Sequence, residues 1–197
     1  MQLLSQSVKL KCHVAGALRL PRSVIAIGTF DGVHRGHQKV LGNAVNAARR
    51  LNCPAVVYTF DLPPKALFKG TSVLTAPDEK VRRLAALGLD HCILAKFDRT
   101  YASRTAEAFL SELAALNPAE IWVGEDFRFG ADRKGDVATL AAHFPVRLTN
   151  AVRCHDGDVI SSTRIRTLME EGDTLAAEIL VGHFSDCHDA TELWRVT

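Results

Sequence analysis

Short β-branched runs alternate along this chain with segments of helical period, and that alternation limits the fold more than any other feature. The run "SVIAIGTF" (23–30) ends in a glycine turn, and Leu41, Ala44, Val45, Ala48 and Leu51 then follow at helical spacing. "PAVVYTF" (54–60) reads as a second buried strand, and "DLPPKALFKG" after it reads as a proline-bearing loop. "TAPDEKVRRLAALG" opens with Thr75 three residues before Asp78, a capping-box pattern, and ends at Gly88. A third strand is expected at 90–97, a helix around Ala106, Phe109, Leu110, Leu113 and Ala114, and a fourth strand with its exit loop at 119–127. "GDVATLAAHF" reads as a helix, "PVRLTNAVR" as a fifth strand, and two helical stretches, 162–171 and 174–181, close the pattern. Such alternation predicts an α/β fold built on an open, mostly parallel sheet of about five strands. Ligands of such sheets sit at the carboxyl ends of the strands, so the strand exits are where chemistry is sought.

The chain has 197 residues, enough for one domain with a sizeable core. A net charge of +2 gives no broad basic footprint, which argues against a nucleic-acid partner. The first twenty residues are broken by Lys9, Lys11, His13 and Arg19, unlike the apolar stretch of a signal peptide. No run approaches transmembrane length, so a cytoplasmic protein without membrane contact is expected. Cysteines stand singly at 12, 53, 92, 154 and 187, a pattern of reduced, packed thiols rather than of a disulfide framework. The triplet Cys-His-Asp occurs at 154–156 and again at 187–189, but adjacent residues lack zinc-ligand spacing.

Two loops carry the chemistry. In "IGTFDGVHRGHQKVL" (27–41), His34 and His37 flank Gly36 where a helix is expected to begin. A helix start exposes unpaired N–H groups at the positive end of the dipole, which suits a phosphate. Gly36 would let such an anion approach the backbone, and each histidine could donate an N–H to it. The alternatives are a metal pair, for which only Asp31 is at hand as a further ligand, and surface histidines without a role. In "ISSTRIR" (160–166), Ser161, Ser162 and Thr163 stand at another expected helix start. Hydroxyls there commonly cap helices, but three in a row followed by Arg164 and Arg166 also suit a phosphate clamp.

"GTFDGVHRGHQKVL" together with "ISSTRIR" resembles the nucleotidyltransferase superfamily that carries H-x-G-H and I-S-S-T-x-x-R signatures. More narrowly, "VVYTFD", "LTAPDEKVRRLAALGLD", "VGEDFRFG", "GDVATL", "ISSTRIRTLMEEGD" and "AAEILVGHF", in that order, are similar to the FAD synthetase (FMN adenylyltransferase) module of bacterial bifunctional riboflavin kinase/FAD synthetases. The likeness covers roughly residues 20–184. It implies a Rossmann-like fold with helices on both faces of the sheet and an adenylyl transfer from ATP to FMN, giving FAD and pyrophosphate, with Mg²⁺ bridging phosphate oxygens. It further implies that His34, His37 and Arg166 are catalytic. The ATP site would be formed by Gly28, Phe30, Asp31, His34, Gly36, His37, Asp126, Ser162, Thr163 and Arg166. Pro64, Phe68 and Phe129 would meet the flavin, Phe129 because a flat apolar ring system suits an aromatic face. No protein-held metal is expected.

The chain departs from the family in two places. The usual T-F-D-P-H-P reads Thr59-Phe60-Asp61-Leu62-Pro63-Pro64 here, so a histidine on the flavin side is replaced by Pro63. The P-T-A-N motif of the riboflavin kinase domain is absent, so a single nucleotidyltransferase domain over 1–184 with a tail at 185–197 is expected. The rival readings are a transferase of the same fold with another phosphorylated acceptor, prompted by the altered loop, and a non-catalytic flavin- or nucleotide-binding protein.

Overall fold

The computed structural model describes residues 10–182. The expected tail at 185–197, with its second Cys-His-Asp triplet, lies outside the described residues.

The strands are β1 (Lys11–His13), β2 (Ser23–Ile27), β3 (Ala55–Phe60), β4 (His91–Ala95), β5 (Pro118–Gly124), β6 (Arg128–Phe129), β7 (Gly135–Asp136) and β8 (Val146–Thr149). The helices are α1 (Arg35–Arg50), α2 (Pro64–Lys69), α3 (Pro77–Ala85), α4 (Arg99–Ala102), α5 (Ala106–Ala114), α6 (Val137–Ala141), α7 (Ser162–Glu170) and α8 (Thr174–Val181). Six strands form one sheet in the order β1-β4-β3-β2-β5-β8, and every pairing in it is parallel. β6 and β7 make a separate antiparallel ribbon.

β2 explains the layering. All five of its residues are buried, and the strand period sends them to alternate faces. Val24 and Ala26 pack with Leu41, Ala44 and Ala48 of α1 and with Val81 and Leu84 of α3. Ile25 and Ile27 pack with Val56, Tyr58, Phe109, Leu110 and Leu113, and with Leu140 of α6. The helices therefore cover both faces, as expected for a Rossmann-like α/β fold. A smaller apolar cluster, Ile160, Ile165, Ala177 and Leu180, joins α7 to α8.

The chain steps outward from β2 to β3 to β4, then returns to place β5 on the other side of β2. That reversal opens a crevice at the carboxyl ends of β2 and β5, where the loops after Ile27 and Gly124 leave the sheet.

Three features differ from expectation. The sheet has six strands rather than about five, because Lys11–His13 adds to the outer edge of β4. It is three residues long and largely exposed, so it has no apolar run to announce it. The proline-bearing loop contains α2, with Pro64 in its first turn, where the missing N–H costs nothing. Thr75 does not cap α3: Ala76 holds that position, Pro77 begins the helix, and the buried Thr75 hydroxyl has no partner among the described residues. The Thr75 N–H instead bonds the Asp31 carboxylate, as the site requires.

Candidate active site

The β2 exit turns sharply before α1 begins. Phe30 (φ 46°) and Val33 (φ 44°) both occupy the left-handed region, which side chains beyond glycine seldom adopt. Several bonds hold the turn there. The Thr29 carbonyl accepts from Thr59 Oγ1 (2.9 Å) and Lys80 Nζ (3.2 Å). The Gly32 carbonyl accepts from Arg83 Nη1 (3.0 Å). Asp31 is buried, and its carboxylate accepts from the N–H groups of Leu74 and Thr75 and from Arg166 Nη2. Phe30 is also buried and lies over Gly28, where a Cβ would come within 2.9 Å of the ring. It meets the His37 ring edge-on at 5.3 Å, so Phe30 props that histidine from below.

His34 caps α1. Its Nδ1 accepts from the His37 N–H (3.4 Å), which leaves Nε2 to carry the ring proton and to donate. No acidic residue occupies the first turn. Burial brings the His34 pKa down to about 4. Burial also pushes His37 well below its ordinary value, helped by His34 and Lys80. Both imidazoles are therefore neutral hydrogen-bonding groups at pH 7. Their rings stack at 3.6 Å with planes 19° apart, so their nitrogen lone pairs lie in near-parallel planes and do not converge on a metal ion. His37 Nδ1 is buried with no hydrogen-bond partner among the described residues.

Gly36 has a packing role. A Cβ there would lie 3.1 Å from the His34 ring and 3.2 Å from the Ile160 carbonyl. Its lack of a side chain lets the start of α1 close against the lead-in to α7.

The three hydroxyls at α7 divide their work. Ser161 caps the helix, accepting from the Arg164 N–H. Ser162 donates to the Asp31 carbonyl at 2.9 Å, across 131 residues of sequence. Thr163 is exposed and receives a hydrogen bond from Lys65 of α2 (3.2 Å). Arg166 lies buried, with Nε donating to the Ser72 carbonyl (2.6 Å) and Nη2 paired with Asp31. Nη1 is left as its one guanidinium nitrogen without a hydrogen bond among the described residues. Arg164 turns away to Asp158 and Cys154. Asp31 thus ties two distant motifs together, and the starts of α1 and α7 form one cradle.

The remaining candidates lie around it. Asp126 stands exposed on the β5 exit loop, across the crevice. Phe68 is 58% exposed on α2 and meets Phe97 edge-on, and Phe97 in turn contacts Phe60 and Tyr101. Pro64 is half-buried at the start of the same helix. Phe129 is buried, packed on Phe109 and Phe127, and its ring lies against Gly135, where a Cβ would come within 2.6 Å. It belongs to the apolar cluster on the Ile25 and Ile27 face of the sheet.

Sequence reasoning missed Lys80, Phe97 and Tyr101. Phe97 and Tyr101 lie on a strand exit and could have been found by the carboxyl-end rule. Lys80, fully buried, looked like one more helical charge in "DEKVRR".

The FAD synthetase family profile matches residues 18–164, which include the β2 exit, the start of α1 and the first residues of α7. This chain belongs to the FAD synthetase family. A Geobacillus thermodenitrificans protein, provisionally named a bifunctional riboflavin kinase/FMN adenylyltransferase, is 53% identical over 174 residues, 88% of this chain and 97% of that one. The Escherichia coli K12 bifunctional riboflavin kinase/FMN adenylyltransferase is 39% identical over 170 residues, 81% of this chain but 54% of that one. The chain thus spans about half the length of that relative. A solved Streptococcus pneumoniae structure described as a macrolide-efflux protein superposes with a TM-score of 0.77 at 32% identity, covering 88% of this chain and 61% of that one. No helix among the described residues is long and apolar enough to cross a membrane.

Proposed function

We propose that this chain transfers AMP from ATP to FMN, releasing pyrophosphate and forming FAD. The observation that carries the reading is the joining of the His34–His37 turn to the α7 hydroxyls through Asp31, within a member of the FAD synthetase family. An FMN phosphate oxygen attacks the α-phosphorus of ATP in line, a new P–O bond forms, and the bond to the β-phosphate oxygen breaks. Such chemistry depends on positioning and on stabilising charge as it develops.

In this reading the neutral histidines donate N–H groups to the nucleotide phosphates, with His34 offering Nε2. The α1 and α7 starts add backbone N–H groups and their dipoles. Thr163, Ser162, the remaining Arg166 nitrogen and Lys65 face the pyrophosphate that leaves. Mg²⁺ brought in with ATP would supply further charge stabilisation at the phosphates. Among the described residues no group of three or more His, Cys, Asp or Glu side chains is arranged to hold a metal ion.

The acceptor wall is assigned to Pro64 and Phe68, extended by Phe97 and Tyr101. The three aromatic rings form a string of edge-on and tilted contacts beside the β3 and β4 exits, open to solvent at Phe68. Pro63 is buried at the cap of α2, so the residue standing in the family's histidine position supports the helix here and supplies no hydrogen bond to a ligand.

The test is pyrophosphate release from MgATP in the presence of FMN, riboflavin and other phosphorylated acceptors. Release that depends on FMN supports the reading. Release only with another phosphorylated acceptor would make the altered loop the sign of a different substrate, and release with none would leave a binding protein.

A further inference from the structure

Lys80 is completely buried, on the face of α3 that packs against the sheet. Its ammonium donates to the carbonyls of Thr29 (3.2 Å) and Phe60 (2.7 Å), the first beyond β2 and the second at the end of β3. Among the described residues no carboxylate lies within ion-pair distance of it. Asp31 and Asp61 are near enough to favour its charge, yet both are otherwise engaged. Asp31 is paired with Arg166. The Asp61 carboxylate accepts from the N–H groups of Leu62 (2.6 Å) and Phe97 (2.8 Å). An ammonium kept from water, hydrogen-bonded to two carbonyls and directly paired with no carboxylate, is an expensive arrangement, and folds seldom retain one without a use for the charge. The Thr29 carbonyl that it grips lies two residues before Asp31, in the turn that leads to His34 and His37.

We infer that Lys80 is a positioning residue for phosphate binding, its buried charge lying beneath the cradle and answered by the phosphates of the bound nucleotide. The inference rests on the reading of this site as a seat for nucleotide phosphates. With no exposed surface, the ammonium cannot touch the ligand. It acts in two ways: it holds the β2 turn to the end of β3, and it projects a positive field through a dry wall, where screening is weak. In the unliganded protein no carboxylate among the described residues is ion-paired with this ammonium, and a triphosphate or pyrophosphate brings further negative charge to it.

The two contributions separate on substitution. Lys80→Gln keeps an amide donor for the carbonyls and removes the charge. Lys80→Met removes both. Calorimetric titration with inorganic pyrophosphate and with MgATP is expected to show binding weakened by about tenfold or more in Lys80→Gln. Its melting temperature without ligand is expected to equal or exceed that of the wild type, and the rise in melting temperature that pyrophosphate brings is expected to shrink. Wild-type pyrophosphate affinity in Lys80→Gln would overturn the inference. So would failure of both neutral variants to fold, since Lys80 would then be a structural cation. The readout does not depend on the acceptor. A chain whose pyrophosphate affinity falls in Lys80→Gln but which makes no FAD keeps this inference and loses the FMN adenylyltransferase reading. A chain that makes FAD while Lys80→Gln binds pyrophosphate undiminished does the reverse.

Discussion

Replacing Asp31 with Asn tests whether the two halves of the site are held together by one buried ion pair. The Asp31 side chain is 1% exposed and that of Arg166 is 9% exposed. An asparagine can still accept from the Leu74 and Thr75 N–H groups through its carbonyl. Its amide then turns N–H groups toward a guanidinium that also only donates, and the Arg166 charge is left buried without a partner. Breaking a buried pair in this way costs about 3–5 kcal/mol. That is a large part of the 5–15 kcal/mol or so that stabilises an ordinary domain. At roughly 3 °C per kcal/mol for a chain of this size, the melting temperature should drop by about 10 °C. Arg166→Met should cost less, because the carboxylate keeps its two backbone donors. The double variant should cost less than the sum of the single ones, with a coupling of about 2 kcal/mol or more. Urea unfolding followed by far-ultraviolet circular dichroism measures all four corners of the cycle. A loss below about 1 kcal/mol for Asp31→Asn, with no coupling, is what an exposed ion pair gives, and it would refute the reasoning.

Three further outcomes are expected. His37→Ala should lower adenylyl transfer by about 10²-fold or more while leaving the circular dichroism spectrum unchanged, the scale of one lost donor to a developing charge; wild-type turnover would remove His37 from the chemistry. His34 falls from an ordinary 6.5 to about 4 on folding, so between those values the unfolded chain binds a proton that the folded one refuses. Its contribution to stability is fully present above pH 6.5 and is lost as the pH falls toward 4, by about 3 kcal/mol in all. The urea midpoint should drop across that window in the wild type and drop less in His34→Gln, and equal drops would contradict the assignment. Phe68→Ala should change stability by no more than about 0.5 kcal/mol, because the ring is largely exposed, yet weaken FMN binding several-fold by flavin fluorescence. An unchanged FMN affinity would take α2 out of the acceptor wall.

The layering of the fold was legible because β2, β3 and α1 bury continuous or periodic apolar sets, which leave a pattern in the sequence. β1 was not, since three edge residues with exposed side chains leave none. α2 was hidden by its two prolines, which read as loop although the start of a helix tolerates them. The cradle was legible at His34, Ser162 and Thr163 from residue type at a helix start. What the sequence could not tell is where a charge points. Arg164 and Arg166 are two residues apart, yet one reaches the 154–158 loop and the other is buried on Asp31. Phe129 was set against the flavin because a flat apolar ring system suits an aromatic face, and no sequence signal showed that its ring is buried over Gly135 among core residues. Lys80 was hidden for the same reason in reverse: nothing in "DEKVRR" marks which cation is fully buried.

The central claim is that the cradle built on Asp31 moves an adenylyl group onto FMN. The most direct measurement is mass detection of FAD after incubating the purified chain with FMN, ATP and Mg²⁺, beside the His37→Ala variant. The account predicts FAD and pyrophosphate in equal amounts from the wild type and almost none from the variant. A folded wild-type chain that binds ATP and FMN together yet forms no FAD would contradict it.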